Sequence, residues 1–446
     1  MRLKIGIVGF HPGWEILLNQ IGVSFEIISF KTIPEPDIFS VIIIPEKLNI
    51  NQKEPILQYL RSGGSVLFYS KTYADICGFN TKTKKVSYLL SEENSIFSNV
   101  GLVDVNSKIE IIKSKDLQVL DVGLKIYHQQ IGNGFLLVIP FDINTLILDS
   151  KSVRKKFYSE RKELPSEIVA RVSKCKIREI IKVSLEYLHQ QRGLPFVHKW
   201  YYPRDWESMF IFRLDTDFCS SEDADSMYKV CKDNNIRATW FLDTGSEDRL
   251  QNYSKMQDQE MALHCEKHLV FDDCERNSNN LKTALSKLEK ASIDPKGFAA
   301  PFGDWNPALA QVLEDLAFEY SSEFTLDYDN LPFYPFFKGR FTEVLQIPIH
   351  PISLGRLRRS HFSKEEMINY YKKLIEEKIE LNKPIIIYHH PHHHHFEVFN
   401  KVFEVVNGKE INNITMLEYV QWWKKRSQMQ LDLNFEKNEI ISSNSE

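Results

Sequence analysis

Residues 40–45, SVIIIP, and the run SVLFY at 65–69 are apolar at nearly every position. A strand of a one-sided sheet alternates apolar and polar residues. A strand apolar throughout has to be covered on both faces, and a parallel sheet with helices above and below does this. The intervening EPILQYLR supplies such a helix, with Ile56, Leu57 and Leu60 on one stripe and Gly63-Gly64 ending it. LKIGIVGF at 3–10 and GNGFLLVIPF at 132–141 read as further strands. Residues 1–150 are therefore expected to form a small α/β domain.

The layout resembles flavodoxin-like or Rossmann-like parallel-sheet domains, and its helix–Gly–Gly–strand step resembles the glutamine-amidotransferase-like α/β fold. GIVGFHPG lacks the GxGxxG spacing of a dinucleotide site. No Gly-x-Cys-x-Gly nucleophile turn is present, Cys77 standing in DICGF. A structural or binding role is the expectation here. Residues 151–200 are charged and read as a helical connector, with Ile168, Val169, Val172, Ile180 and Ile181 on its apolar face. A second domain is expected over 201–428, and 429–446, ending NEIISSNSE, is expected to be a disordered polar tail.

A net charge of −4 gives no electrostatic footprint for nucleic acid. No apolar run approaches the ~20 residues that cross a bilayer. MRLKIGIVGF has no cleavage-site pattern and reads as a strand rather than a signal peptide, so a cytoplasmic location is the expectation. The six cysteines form no CxxC pair and read as reduced thiols.

The chemistry gathers in the second domain. In MFIFRLDTDF, 209–218, strand alternation points Arg213, Asp215 and Asp217 to one face, where a metal would balance the surplus negative charge. In MALHCEKHL, His264 and His268 stand at i and i+4, which on a helix puts both imidazoles on one side. Cys265 between them reads as packing. Two histidines and one carboxylate leave a coordination position open, the mark of a catalytic rather than a structural metal site. GFAAPFGDWNP, 297–307, reads as a rigid loop with aimed backbone N–H groups, Asp304 and Asn306 looking like helix caps. Near the end, IIIYHHPHHHH places six of the fourteen histidines in seven residues.

Together RLDTDF, IRATWFLDTG, QEMALHCEKH, GFAAPFG and PIIIYHHP resemble, in the same order over about residues 205–425, the motifs of the polysaccharide deacetylase family, carbohydrate esterase family 4. The resemblance implies a distorted (β/α)7 barrel following the flavodoxin-like domain. It implies that Asp217, His264 and His268 hold Zn²⁺ or another divalent ion such as Co²⁺, Ni²⁺ or Mn²⁺. Asp215 would be the general base. Phe302, after Pro301, would offer its N–H to the oxyanion. A last-strand histidine would be the general acid. His390, which precedes the proline, is the family match, whereas counting from Ile387 points to His389. Positions 392–395 are expected to be solvated and without a catalytic role.

Two positions depart from the pattern. The loop arginine that contacts the base in the family is Ala299 here, and Arg213 is positioned to substitute for it. The family tyrosine is Phe302, which matters little if only the backbone N–H is used. The implied activity is metal-dependent removal of acetyl groups, N-acetyl in preference to O-acetyl, from a carbohydrate such as a surface-polysaccharide precursor. The alternative is a catalytically inactive carbohydrate-binding homologue.

Overall fold

The computed structural model describes residues 1–29, 35–45, 53–245 and 249–442. The chain divides into two compact units, residues 1–149 with 171–200 and 428–446, and residues 150–170 with 201–427.

In the first unit β1 (Ile5–Val8), β2 (Phe25–Ile28), β3 (Val41–Ile44) and β4 (Ser65–Tyr69) precede a long separate hairpin, β5 (Asn80–Leu90) and β6 (Leu102–Lys113). Strands β7 (Gln118–Asp121), β8 (Ile126–Ile131) and β9 (Gly134–Ile139) then complete a seven-stranded sheet of order β2-β1-β3-β4-β9-β8-β7. β2, β1, β3, β4 and β9 run parallel, and β8 and β7 turn back antiparallel at one edge. All four residues of β1 and of β3 are buried, as two-sided cover requires. Burial pushes the Cys77 thiol above its ordinary range, the opposite of an activated nucleophile.

Two expectations are corrected by this structure. The helix expected from about residue 150 begins only at Lys174 and runs to Gln191. Before it, β10 (Ser152–Lys156) pairs antiparallel with β11 (Ser166–Ala170). The charged run alternates exposed and half-buried residues, a period of two, so a ladder satisfies it where a helix would not. Nor is the tail structureless as far as it is described. Leu433–Glu436 and Glu439–Ser442 form a hairpin, and Leu3 donates its N–H to the Leu433 carbonyl at 2.8 Å. Residues 443–446 lie outside the described residues.

The second unit carries a seven-stranded, wholly parallel sheet of order β19-β16-β15-β14-β13-β12-β20. Its strands are β12 (Phe210–Asp215), β13 (Ala238–Asp243), β14 (Glu260–Cys265), β15 (Gly297–Phe298), β16 (Tyr320–Ser321), β19 (Leu345–Gln346) and β20 (Ile385–His389), with a small hairpin β17 (Phe336–Phe337) and β18 (Arg340–Phe341) inserted. The two faces bury different cores. Phe210, Phe212 and Leu214 of β12, with Ile385 and Ile387 of β20, pack under the helices Cys274–Lys290 and Phe396–Gly408. Ile211, Phe241, Ala262, Ala299, Tyr320, Leu345 and Ile386, at or beside each of the seven strands, share one interior cluster. A flat sheet could not bring both of its edges to one cluster, so the sheet curls around it. Among the described residues no helix is long and apolar enough to cross a membrane.

Candidate metal centre

The site forms where the inner-face residues run out at the carboxyl ends of the strands. On β12 the inner series is Ile211, Arg213, Asp215, and on β14 it is Ala262 then His264. On β20 it is Ile386 and Tyr388, so the next inward position is His390. His389 belongs to the opposite series with Ile385 and Ile387, fully buried with its ring 4.6 Å from Phe399. The choice between the two histidines is thus one of parity.

Arg213 is fully buried, and each of its three guanidinium nitrogens donates. Nε donates to Asp215 Oδ1 at 2.7 Å and Nη2 to Oδ2 at 2.8 Å. Nη1 donates to the Ser322 carbonyl at 2.7 Å, and the group stacks over Phe241 and Tyr388. Burial works to raise the Asp215 carboxyl, but the Arg213 guanidinium and nearby His264 and His390 outweigh it and hold the group below its ordinary range. Glu323 supports the next loop. Its Oε1 accepts the Ala300 N–H at 3.1 Å, and burial pushes its carboxyl up to about 7.

Asp217 lies past the end of β12 and enters through a turn. Thr216 stitches that turn to β13, accepting the Asp243 N–H on Oγ1 at 3.0 Å and donating its own N–H to Phe241. His264 is held by its other nitrogen, Nδ1, 2.7 Å from the Ala299 carbonyl. A carbonyl only accepts, so Nδ1 carries the proton and Nε2 presents a lone pair. His268 is not on a helix. Its strand ends at Cys265, and Lys267 and His268 take left-handed backbone conformations, φ 54° and 55°. Side chains from elsewhere hold that loop. Asn280 donates to the Glu266 carbonyl and accepts its N–H, and Asn277 makes the same pair of bonds with Phe271. Thr244 and Lys287 grip the Glu266 carboxylate. Cys265 packs in the helix-side core, as expected.

One ligand atom each from Asp217, His264 and His268 lies within 4.8 Å of the others, a possible Asp/His/His metal site. Asp217 Oδ1 and His264 Nε2 are buried without a hydrogen-bond partner. Two orphaned acceptors and a third donor atom converging on one point fit a divalent cation. Burial and then the Asp215 carboxylate push Asp217 up to about 8, a charge conflict that a cation relieves. His390 Nε2 lies 3.5 Å from Asp217 Oδ1 and 4.0 Å from Asp215 Oδ2. Burial holds its imidazole well below the ordinary range, against the pull of Asp215.

Pro301 and Phe302 form a single 3-10 turn beside this centre, Phe302 at φ 60°. Phe218 is also left-handed, at φ 55°. Both rings stand largely exposed beside His268, at 5.6 Å (Phe218) and 4.8 Å (Phe302) between ring centres. Bulky residues rarely adopt this conformation. Of the two expected caps, Asn306 caps the helix Pro307–Asp315, and Asp304 instead follows the 3-10 turn. His350 does not line the cleft, being engaged with Asp329 and Tyr370. The histidine run is not simply solvated, because His392 and His393 line the cleft. Glu167, Glu323, Asn277, Asn280 and Arg356 support the site from positions that carry no sequence motif.

No family model matches the chain, and no curated protein matches it. Some solved structures are similar to part of it. One is a provisionally assigned polysaccharide deacetylase from Mycobacterium smegmatis, 13% identical, covering 51% of this chain and 94% of its own, with a TM-score of 0.42. A family 4 carbohydrate esterase from Streptomyces lividans, in complex with acetate, is 13% identical over 46% of this chain and 91% of its own, TM-score 0.34. A pseudoenzyme of the same esterase family from Bacillus anthracis is 11% identical over 61% of this chain and 90% of its own, TM-score 0.35.

Proposed function

We propose that this protein is a metal-dependent hydrolase that removes acetyl groups, N-acetyl in preference to O-acetyl, from a carbohydrate. The observation that carries the reading is the pairing of Asp215 with Arg213 directly beside the convergent Asp217, His264 and His268. One carboxylate is locked in its ionised form and turned away from ligation, while the other is left bare toward the two imidazoles. That division suits a proton acceptor next to a metal ligand.

Asp217, His264 and His268 would hold the ion. A divalent ion bound there supplies positive charge that acidifies water and stabilises an oxyanion. The residues of the chain do the rest. Asp215 takes the proton of the attacking water as its oxygen bonds to the acyl carbon. The Phe302 N–H, after Pro301, is the backbone donor assigned to the developing oxyanion. The proton passes from Asp215 to His390, 4.0 Å away, and on to the sugar nitrogen as the C–N bond breaks, leaving acetate and the free amine. An imidazole that burial makes reluctant to hold a proton gives it up readily. Arg213 keeps Asp215 oriented throughout, the place the family motif gives to the loop arginine.

The test is acetate release from N-acetylated oligosaccharides by the zinc-loaded chain, with Asp215→Asn as the control. Release that falls by two orders of magnitude or more in the variant supports the reading. Release by neither protein, with zinc bound, leaves the binding homologue in its place.

A further inference from the structure

The cleft that contains Asp215, Asp217 and His390 has a second wall, built from Ser353, Arg356, Arg359, His392 and His393. Its charges do not balance internally. Arg356 is matched, its Nη2 donating to Glu167 Oε1 at 2.8 Å and its Nε to the other oxygen of that buried carboxylate. Arg359, on the same short helix Leu354–Arg359, has no carboxylate partner among the described residues and reaches the cleft at its rim.

His393 stands beside it with Nδ1 buried and without a hydrogen-bond partner. Its ring is pressed so close to Gly355 that a Cβ there would lie 2.3 Å from Cε1, so bare backbone is needed to seat it. Burial, then His392 and the cations Arg359, Arg358 and Arg356, push this imidazole down to about 3. It is therefore neutral, offers an N–H, and sits in a positive field. A neutral acetamido sugar can accept hydrogen bonds from these groups through its hydroxyl and carbonyl oxygens, but it carries no charge to answer the guanidinium. An anionic substituent does.

We propose that this wall receives a carboxylate or phosphate ester carried by the acetylated sugar, so that the substrate is an acidic carbohydrate rather than a neutral amino-sugar oligomer. This rests on the deacetylase reading of the same cleft.

The experiment compares acetate release by the zinc-loaded full chain from three oligosaccharides sharing one N-acetylglucosamine unit. The first is neutral, the second has an adjoining uronate, and the third carries a 6-phosphate. Calorimetric binding of glucuronate against glucose is measured alongside, because it needs no turnover. An anionic substrate is expected to exceed the neutral one in kcat/KM by about tenfold or more, mainly through KM. That ratio should fall to about one in Arg359→Gln and survive in part in Arg359→Lys. The better of the two anionic substrates distinguishes carboxylate from phosphate. Equal rates on all three, or a ratio unchanged in Arg359→Gln, would overturn the proposal while leaving the deacetylase reading intact. If no substrate releases acetate, that reading fails, and the calorimetry decides the wall by itself. Glucuronate binding abolished in Arg359→Gln sustains the wall, and absence of binding to the unmodified protein overturns it. Arg359 makes no bond that folding depends on, so a matching Tm excludes loss of structure as the cause.

Discussion

Arg213 and Asp215 stand two residues apart on one strand and meet through two parallel hydrogen bonds of 2.7 and 2.8 Å, wholly out of contact with solvent on the Arg213 side. Lysine can supply the charge but not the fork. Arg213→Lys is expected to lower turnover by about 10- to 100-fold with zinc stoichiometry unchanged. Arg213→Ala leaves a buried carboxylate uncompensated and should also cost about 3–5 kcal/mol of stability. Acetate release, metal content and urea midpoints measure the three effects. Full turnover in Arg213→Ala would remove the residue from its orienting role.

His390→Ala should reduce kcat/KM by about two to three orders of magnitude with little change in Tm. His389→Leu should do the reverse. Both ring nitrogens of His389 are buried without partners, so an apolar replacement of similar size relieves a desolvation cost and is expected to raise Tm with activity retained. Steady-state kinetics and thermal melts on the two variants separate the roles. Loss of activity in His389→Leu alone would reverse the assignment.

Asn280 acts two residues before His268, through its bonds to both backbone groups of Glu266. Asn280→Ala frees the loop without touching a ligand. Zinc affinity, measured by calorimetric titration, is expected to weaken about tenfold or more. An unchanged affinity would mean that the loop presents His268 without this clamp.

How far the sequence could lead is clear at these same residues. Arg213 and Asp215 follow strand alternation, a geometric rule that needs no partner, and their inward placement was legible, whereas Asp217, read as the next step of that alternation, lies past the strand's end and enters through a turn. The helical reading of His264 and His268 failed because Glu260–Cys265 is a short buried run, which periodicity alone cannot distinguish from a helix turn. His268 is brought round by left-handed backbone held by Asn277, Asn280, Thr244 and Lys287, contacts that no local pattern announces. Residues 152–156 form a strand because 166–170 lie alongside, and their charges masked the period of two.

Away from the cleft, Asp329 accepts a bond from Lys378 at 2.5 Å and lies 3.1 Å from His350 Nδ1, whose Nε2 meets the Tyr370 hydroxyl at 3.0 Å. Burial works to raise the Asp329 carboxyl, and Lys378 and His350 together hold it well below the usual carboxylate range. The folded value is depressed, so the stabilisation is complete above the unfolded value of about 4 and fades as pH falls through the folded one. Asp329→Asn is expected to cost about 3 kcal/mol at neutral pH, since it strands a buried ammonium, and progressively less in acid. Urea unfolding across that range checks it. A pH-independent difference would mean that the carboxylate charge is not what stabilises the cluster.

The two-sided burial of β20 has one more implication. Its inner and outer positions alternate, and its end carries adjacent imidazoles, His389 and His390. A strand that gained or lost one residue would turn every side chain over and normally erase a site. Here a gained residue would move His389 into the place of His390 and still deliver an imidazole to the two aspartates, whereas a lost one would bring Pro391 there. The doubled histidine makes this corner tolerant of misalignment in that one direction, both to a small insertion in the gene and to a transient slip while β20 seeks its place beside β12.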